Sequence, residues 1–362
     1  MKRKCRCGES LLILFVLFIG GLCARGGPIV VGYTNCLAVT TYPQSLMDRI
    51  GQLKWYFAHA SVGANMMDGI AALHAVNANF YPLRGVAADE SPPSTTQTGV
   101  IYEHNRGNPG WWEKFELYQS CVSNGWRYPL VNLAMTKLCY IDQGAILDWC
   151  IDCVSPLASA FPETVFVYAT MPLTTSEDSD NYDRNLYNDG LRDWCRTHNR
   201  VLLDIADIEA HDSNGLPVTF SYNNRVCQRL YDDYSSDGGH LNSAGSQLVA
   251  KGFYAVAAAL MSLDRDGDGL SDGQELVAGT RPADPQSVLR LSGATLTPEG
   301  AVVLRWSSAS NRLYTLQRGT SLMNGTSFTN LLLDATPTPP LNTFTDAPPG
   351  SATFFYRLQV RQ

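Results

Sequence analysis

Short, nearly continuous apolar runs recur along the first two thirds of the chain, each followed by a longer stretch whose apolar positions repeat at helical spacing. The runs are Trp55 to Ala58, Leu130 to Met135, Val165 to Ala169 and Val201 to Ile205. Runs of that length without polar alternation are expected of parallel strands covered on both faces. Phe80 to Leu83 is a weaker strand candidate, because Pro82 places it at an edge. Between the runs, helices are predicted over 62–75, 111–121, 143–160 and 183–198. A last one over 243–261 carries Leu248, Val249, Phe253, Val256 and Leu260 on one side. Asp183, Arg184, Asn185, Tyr187 and Asn188 form a polar helix face expected to be solvated. Strand alternating with helix predicts an α/β sandwich, in which ligands sit beyond the carboxyl ends of the strands.

The pattern changes at Asp264, where an acidic, glycine-rich stretch runs to Pro285 with no core-forming periodicity and reads as a hinge. Beyond it, Val302 to Trp306, Leu313 to Gln317 and Phe354 to Val360 alternate like half-buried strands between Pro, Gly, Asn and Thr turns. The predicted division is a leader over 1–24, an α/β domain over 25–262, a linker over 263–285 and a small fibronectin III-like β-sandwich over 286–362.

The first 24 residues run from Lys2-Arg3-Lys4 through an apolar stretch to Leu22-Cys23-Ala24, the layout of a cleaved secretory signal. The apolar stretch is too short for a comfortable membrane span. Export and an oxidising compartment are therefore expected. Removal of the leader leaves Cys36, Cys121, Cys139, Cys150, Cys153, Cys195 and Cys227, which permits up to three disulfides and one free thiol. The Cys150-Ile151-Asp152-Cys153 spacing has no second pair or nearby histidine to make a zinc or redox site, so a structural role is expected. A net charge of −7, with no basic cluster after the leader, argues against nucleic acid or an anionic membrane as partner. With 45% apolar residues the chain can bury a sizeable core.

Three segments carry candidate chemistry. With Asp264 as position 1, Asp266, Asp268 and Asp272 fall at 3, 5 and 9, Gly269 at 6, the Leu270 carbonyl at 7 and Glu275 at 12. That is the oxygen cage, with its sharp glycine turn, that Ca²⁺ requires. The stretch resembles the thrombospondin type 3-like and dockerin-like calcium repeats, and that resemblance implies a structural Ca²⁺ that stiffens the junction. Ser61, in His59-Ala60-Ser61-Val62-Gly63, stands where the first run breaks before a helix. A serine there serves as a nucleophile or as a helix cap. His240 follows two glycines and Asp237, which can hold the imidazole in the tautomer a general base needs. The alternative is a loop histidine capping the next helix, and Asp232 and Asp233 are further carboxylates within reach.

From about residue 54 to 261 the chain resembles the SGNH (GDSL-type) hydrolases, in an atypical branch where His-x-Ser-Val-Gly replaces the Gly-Asp-Ser block. Here that block lies within Phe57 to Gly63. Leu133 to Asp142, Val167 to Thr174, Leu203 to Glu209 and Asp237 to Gly245 follow in the family's order, and the final Asp-x-x-His-Leu-Asn block is the most specific. The resemblance implies Ser61 as nucleophile, His240 as base, Asp237 as its carboxylate partner, and a flavodoxin-like three-layer sandwich with five parallel strands. The usual Gly-x-Asn-Asp block is absent, with Thr136-Lys137-Leu138 in its place. Lys137 either supplies a cation to the oxyanion or anchors a carboxylate such as Asp142. Asn108 either presents its amide to the cleft or belongs to a plain turn, and backbone N–H groups of Ser61 and Gly107 complete the donor set. Trp111 and Trp112 are a sugar-stacking wall or partly core.

The expected function is an exported serine esterase acting without a catalytic cofactor on small acyl esters, acetyl foremost, of a glycan. Its β-domain is expected to contact a surface or polysaccharide. The alternative is an extracellular carbohydrate-binding or adhesion protein on a degenerate hydrolase fold. Zinc hydrolysis lacks ligands at metal spacing around His240.

Overall fold

The structure, a computed structural model, describes residues 14–15, 24–322, 328–349 and 353–362. The expected leader lies outside these apart from Leu14, Phe15 and Ala24. The chain opens with β1 (Ile29–Val31), α1 (Tyr33–Ala38) and α2 (Gln44–Ile50). Next come β2 (Lys54–His59), α3 (Val62–Val76), β3 (Arg84–Ala87), β4 (Val100–Asn105), α4 (Trp111–Asn124) and β5 (Leu133–Thr136). The series continues through α5 (Leu147–Ala160), β6 (Val165–Ala169), α6 (Ser179–Thr197), β7 (Val201–Leu203) and α7 (Ile205–Glu209). A hairpin, β8 (Thr219–Tyr222) and β9 (Arg225–Gln228), then leads to α8 (Ser243–Leu260).

Seven of these strands form one parallel sheet in the order β1-β7-β6-β5-β2-β4-β3. The inner five, β4-β2-β5-β6-β7, have the flavodoxin-like order, with the chain reversing direction across the sheet beside β2. Both faces are covered. Trp55 and Phe57 of β2 enter a core with α3 and α8, while Tyr56 and Ala58 face a second core with α4, α5 and α6. Lys54 to His59 therefore reads as apolar without alternation, because neither face meets water.

Register fixes where the loops emerge. His59 pairs with Asn105 and Ala58 with Thr136, so the chain after β2, β4 and β5 leaves the sheet at one level. Ser61, Gly107 and Lys137 lie on those three exits.

Several expectations are corrected. Phe80 to Leu83 is not a strand, and the edge strand β3 starts just after it at Arg84. β5 begins at Leu133, because the Asn132 side chain accepts the Lys54 N–H at 3.0 Å instead of continuing the apolar run. β7 stops at Leu203, where Asp204 caps α7 through the Asp207 N–H. The α6 face expected in solvent is buried at Arg184, Asn185, Tyr187 and Asn188, and only Asp183 of that set is exposed. No disulfide links the described residues: the seven cysteines from Cys36 to Cys227 are free and buried. They pack as small apolar groups, and burial pushes the Cys150 and Cys195 thiols up to about 12.

The acidic stretch is not a hinge. Ser271 opens α9 (Asp272–Ala278) with a capping box, and Leu276 and Val277 join the core beneath α8. Beyond α9 come the strands β10 (Leu291–Leu296), β11 (Val302–Ser307), β12 (Leu313–Gly319), β13 (Thr329–Ala335), β14 (Leu341–Asp346) and β15 (Phe355–Arg361). They pair antiparallel as β10-β11-β14 and β13-β12-β15 around Leu304, Trp306, Tyr314, Leu316 and Tyr356. Among the described residues no helix is long and apolar enough to cross a membrane.

Candidate active site

Ser61 occupies the turn between β2 and α3 with φ 57° and ψ −120°, a backbone that side-chain-bearing residues rarely adopt. Gly63 makes the turn possible, since a Cβ there would meet the His59 Cβ at 2.4 Å. Although Ser61 is the N-cap residue of α3, its hydroxyl makes no cap bond; Oγ lies 2.8 Å from Nε2 of His240. Of the two readings of that serine, the hydroxyl's partner is the imidazole. The Ser61 amide donates to nothing among the described residues and stands at the positive end of a 15-residue helix.

His240 projects from the loop ahead of α8. Its Nδ1 lies 2.7 Å from Oδ2 of Asp237, whose Oδ1 accepts the N–H groups of His240 at 2.8 Å and Gly239 at 3.0 Å. The His240 backbone N–H, the imidazole and the Gly239 N–H, in that order, hold the Asp237 carboxyl down at about 2. Asp237 is thus ionised across the working pH range and fixes which imidazole nitrogen faces Ser61. Asp232 and Asp233 are turned away, to Arg229 and to the Tyr231 hydroxyl. A hydroxyl, an imidazole and a carboxylate in this relay can remove and return a proton during nucleophilic addition.

Three supports of this relay escape sequence reasoning. Asn65, one helical turn after Ser61, accepts the Leu241 N–H at 3.2 Å and ties the histidine loop to the nucleophile's own helix. The Tyr140 ring stands edge-on to His240 with centroids 5.3 Å apart. The buried face of α6 holds the neighbouring loop: Asn188 brackets the Met171 backbone at 2.7 and 2.9 Å, Asn181 does so at Thr174, and Arg184 donates to the Tyr140 carbonyl at 2.5 Å. The same loop reaches the histidine loop through Thr175 N–H to the Gly238 carbonyl, 2.9 Å. A polar residue at helical spacing from Ser61 was the available sign for Asn65; Tyr140 left none.

The expected oxyanion donors are separated. Gly107, at φ 71°, and Asn108 are exposed on the loop after β4, which is anchored beside the nucleophile by Arg106 N–H to the His59 carbonyl, 3.0 Å. Lys137 is fully buried, its ammonium donating to the Leu138 carbonyl at 3.0 Å, so it touches nothing in the cleft. The lysine that anchors Asp142 is instead Lys114, at 2.5 Å. Trp111 is half-buried against Trp149, and Trp112 is exposed. His59 pairs with Glu103 at 3.2 Å, and burial lowers its pKa.

In the acidic loop, Asp264, Asp266 and Asp268 bring carboxylate oxygens within 4.8 Å of one another. One oxygen each of Asp266, Asp268 and Glu275 is buried without a hydrogen-bond partner, and burial followed by the neighbouring aspartates pushes Glu275 up to about 10. Orphaned buried oxygens on converging carboxylates fit a hard divalent cation. Residues 264–285 match the bacterial TSP3 repeat. Within the repeat Asp272 is not brought to the cluster, because its carboxylate pairs with Arg265. Leu270 is buried, with its N–H on Asp268 at 2.8 Å.

No curated protein matches the chain. Similar solved structures include a GDSL-like lipase from Bacteroides thetaiotaomicron, at 9% identity and TM-score 0.35, covering 60% of this chain and 92% of that one. A protein described as an acylhydrolase from Bacteroides fragilis is similar at 13% identity and TM-score 0.36, covering 54% and 82%. The C-terminal catalytic domain of Streptococcus pneumoniae peptidoglycan O-acetyltransferase A is similar at 12% and 0.33, covering 59% and 94%.

Proposed function

We propose that the chain is an exported serine esterase that removes small acyl groups, acetyl foremost, from a glycan. The observation that carries the reading is the unbroken line from Ser61 Oγ through His240 to Asp237, at 2.8 and 2.7 Å. In the first half-reaction His240 Nε2 takes the Ser61 proton as Oγ adds to the ester carbonyl carbon. The carbonyl electrons move to oxygen, and the Ser61 N–H at the helix start is placed to receive that charge. Collapse of the adduct expels the sugar alcohol, which leaves with the proton from His240. Water then repeats the sequence on the acyl-serine, releasing the carboxylic acid and restoring the hydroxyl.

The glycan reading is supported by the secretory layout of the leader, the net charge of −7 and the appended β-sheets, which suit an extracellular polymer better than a lipid. In the TSP3 repeat we propose a structural Ca²⁺ held by Asp264, Asp266, Asp268 and Glu275, with no part in the chemistry. The test compares purified protein with its Ser61→Ala variant on p-nitrophenyl acetate and acetylated xylan. Release of 4-nitrophenol and acetate that the variant loses supports the esterase; release it retains, or none from either protein, leaves an adhesion or carbohydrate-binding role.

A further inference from the structure

The core behind Ser61 holds more positive charge than its surroundings neutralise. Lys137 and Lys114 are fully buried and Arg106 nearly so, against one buried carboxylate in contact, Asp142. Arg106 directly, and Lys137 through Cys139, reach the nucleophile's turn. Arg106 donates its backbone N–H to the His59 carbonyl at 3.0 Å and its guanidinium to the Lys137 carbonyl at 2.5 Å. Cys139 contacts both the Ala60 carbonyl, at 3.6 Å, and the Lys137 ammonium, at 3.7 Å. Nε and Nη1 of Arg106 find no partner among the described residues. Buried cations cost a fold several kcal/mol each unless paired, as a general rule. Three of them around one aspartate suit a place where negative charge appears only transiently.

We propose that this cluster, centred on Lys137, is a positioning device that stabilises the tetrahedral oxyanion at Ser61 through its field, in place of a side chain reaching the oxygen. The inference rests on the esterase reading. When Oγ adds to the carbonyl carbon and its proton passes to His240, one unit of negative charge forms on the substrate oxygen. Nothing in the free enzyme carries that charge, so a fixed positive field lowers the barrier without tightening ester binding.

The groups facing these three cations are Tyr56 of β2, the His59–Glu103 pair, Cys139, Asp142 and Glu209 of α7. Burial brings Lys137 down to about 8 and lifts Glu209 to about 8, so as pH rises through that value the lysine loses its positive charge and the glutamate gains a negative one, and both weaken the field. The experiment measures kcat and KM on p-nitrophenyl acetate from pH 6 to 10, with affinity for an alkylboronic acid that becomes an anionic tetrahedral adduct on serine. Wild type, Lys137→Met, Lys137→Arg, Glu209→Gln and Ser61→Ala are compared.

Lys137→Met should lose about 10- to 100-fold in kcat and in boronate affinity with KM in place. Its Tm should not fall, since a buried charge has been removed. Lys137→Arg should recover part of the loss. The alkaline fall in kcat near pH 8 should persist in Glu209→Gln and shrink in Lys137→Met, where only Glu209 still titrates. A folded Lys137→Met protein with wild-type kcat and boronate affinity, or changed only in KM, overturns the proposal. If that variant does not fold, a wild-type kcat that stays level through pH 8 does so instead. Absence of turnover and boronate binding in the wild type marks failure of the esterase reading itself, and the proposal goes with it.

Discussion

At Ser61 the backbone and the hydroxyl serve different ends. A residue with a side chain at φ 57° and ψ −120° carries strain of roughly 1–3 kcal/mol, which persists only where the surroundings enforce it. Ser61→Gly should therefore raise the urea midpoint while abolishing ester cleavage, whereas Ser61→Ala abolishes cleavage without the gain. A glycine variant no more stable than wild type would deny that strain is stored at the turn. The serine, the histidine and the aspartate were legible in sequence because small residues surround each of them, and small residues make room. Lys137 was legible only as a cation near the site. Sequence does not show which way a side chain leaves a loop, and this one turns into the core. Asp272 sits at a ligand position of the acidic loop, yet Arg265 takes its carboxylate.

Among elements, the central strands could be read from the chain because burial on both faces leaves an unbroken apolar run. β4 could not, since Glu103, His104 and Asn105 interrupt it where it approaches the site, and β1 is only three residues long. The polar face of α6 reads as solvated in sequence but is buried, for a physical reason. Its residues point inward to satisfy loop backbone groups, a use that periodicity does not distinguish from solvation. Glu209, at the end of α7, belongs to this scaffold: it accepts the Leu173 N–H, and its second oxygen is buried without a partner. Burial raises its pKa from 4.5 to about 8. Its stabilising contribution is therefore complete below pH 4.5 and is lost as pH rises to about 8. Glu209→Gln, which resembles the protonated acid, should flatten the decline of the urea midpoint across that window. An unchanged slope would place the proton elsewhere.

Across the whole molecule, the acidic repeat joins rather than separates its neighbours. The Leu276 carbonyl of α9 accepts from Asn132 ahead of β5 and from Arg312 ahead of β12, each at 3.0 Å. A cation that orders Asp264 to Glu275 should therefore stabilise both sides together. Millimolar Ca²⁺ is expected to raise the Tm by roughly 5 °C over chelated protein, given about 2–4 °C per kcal/mol for folds of this size. Equal melting with and without chelator would remove the ion from the account. The central claim is that one serine of the intact protein is activated by an imidazole brought from 179 positions away. Treatment with a fluorophosphonate, followed by peptide mass spectrometry, tests it most directly. The account predicts a single stoichiometric adduct on Ser61 that His240→Ala suppresses; no adduct, or one unaffected by removing His240, would contradict it.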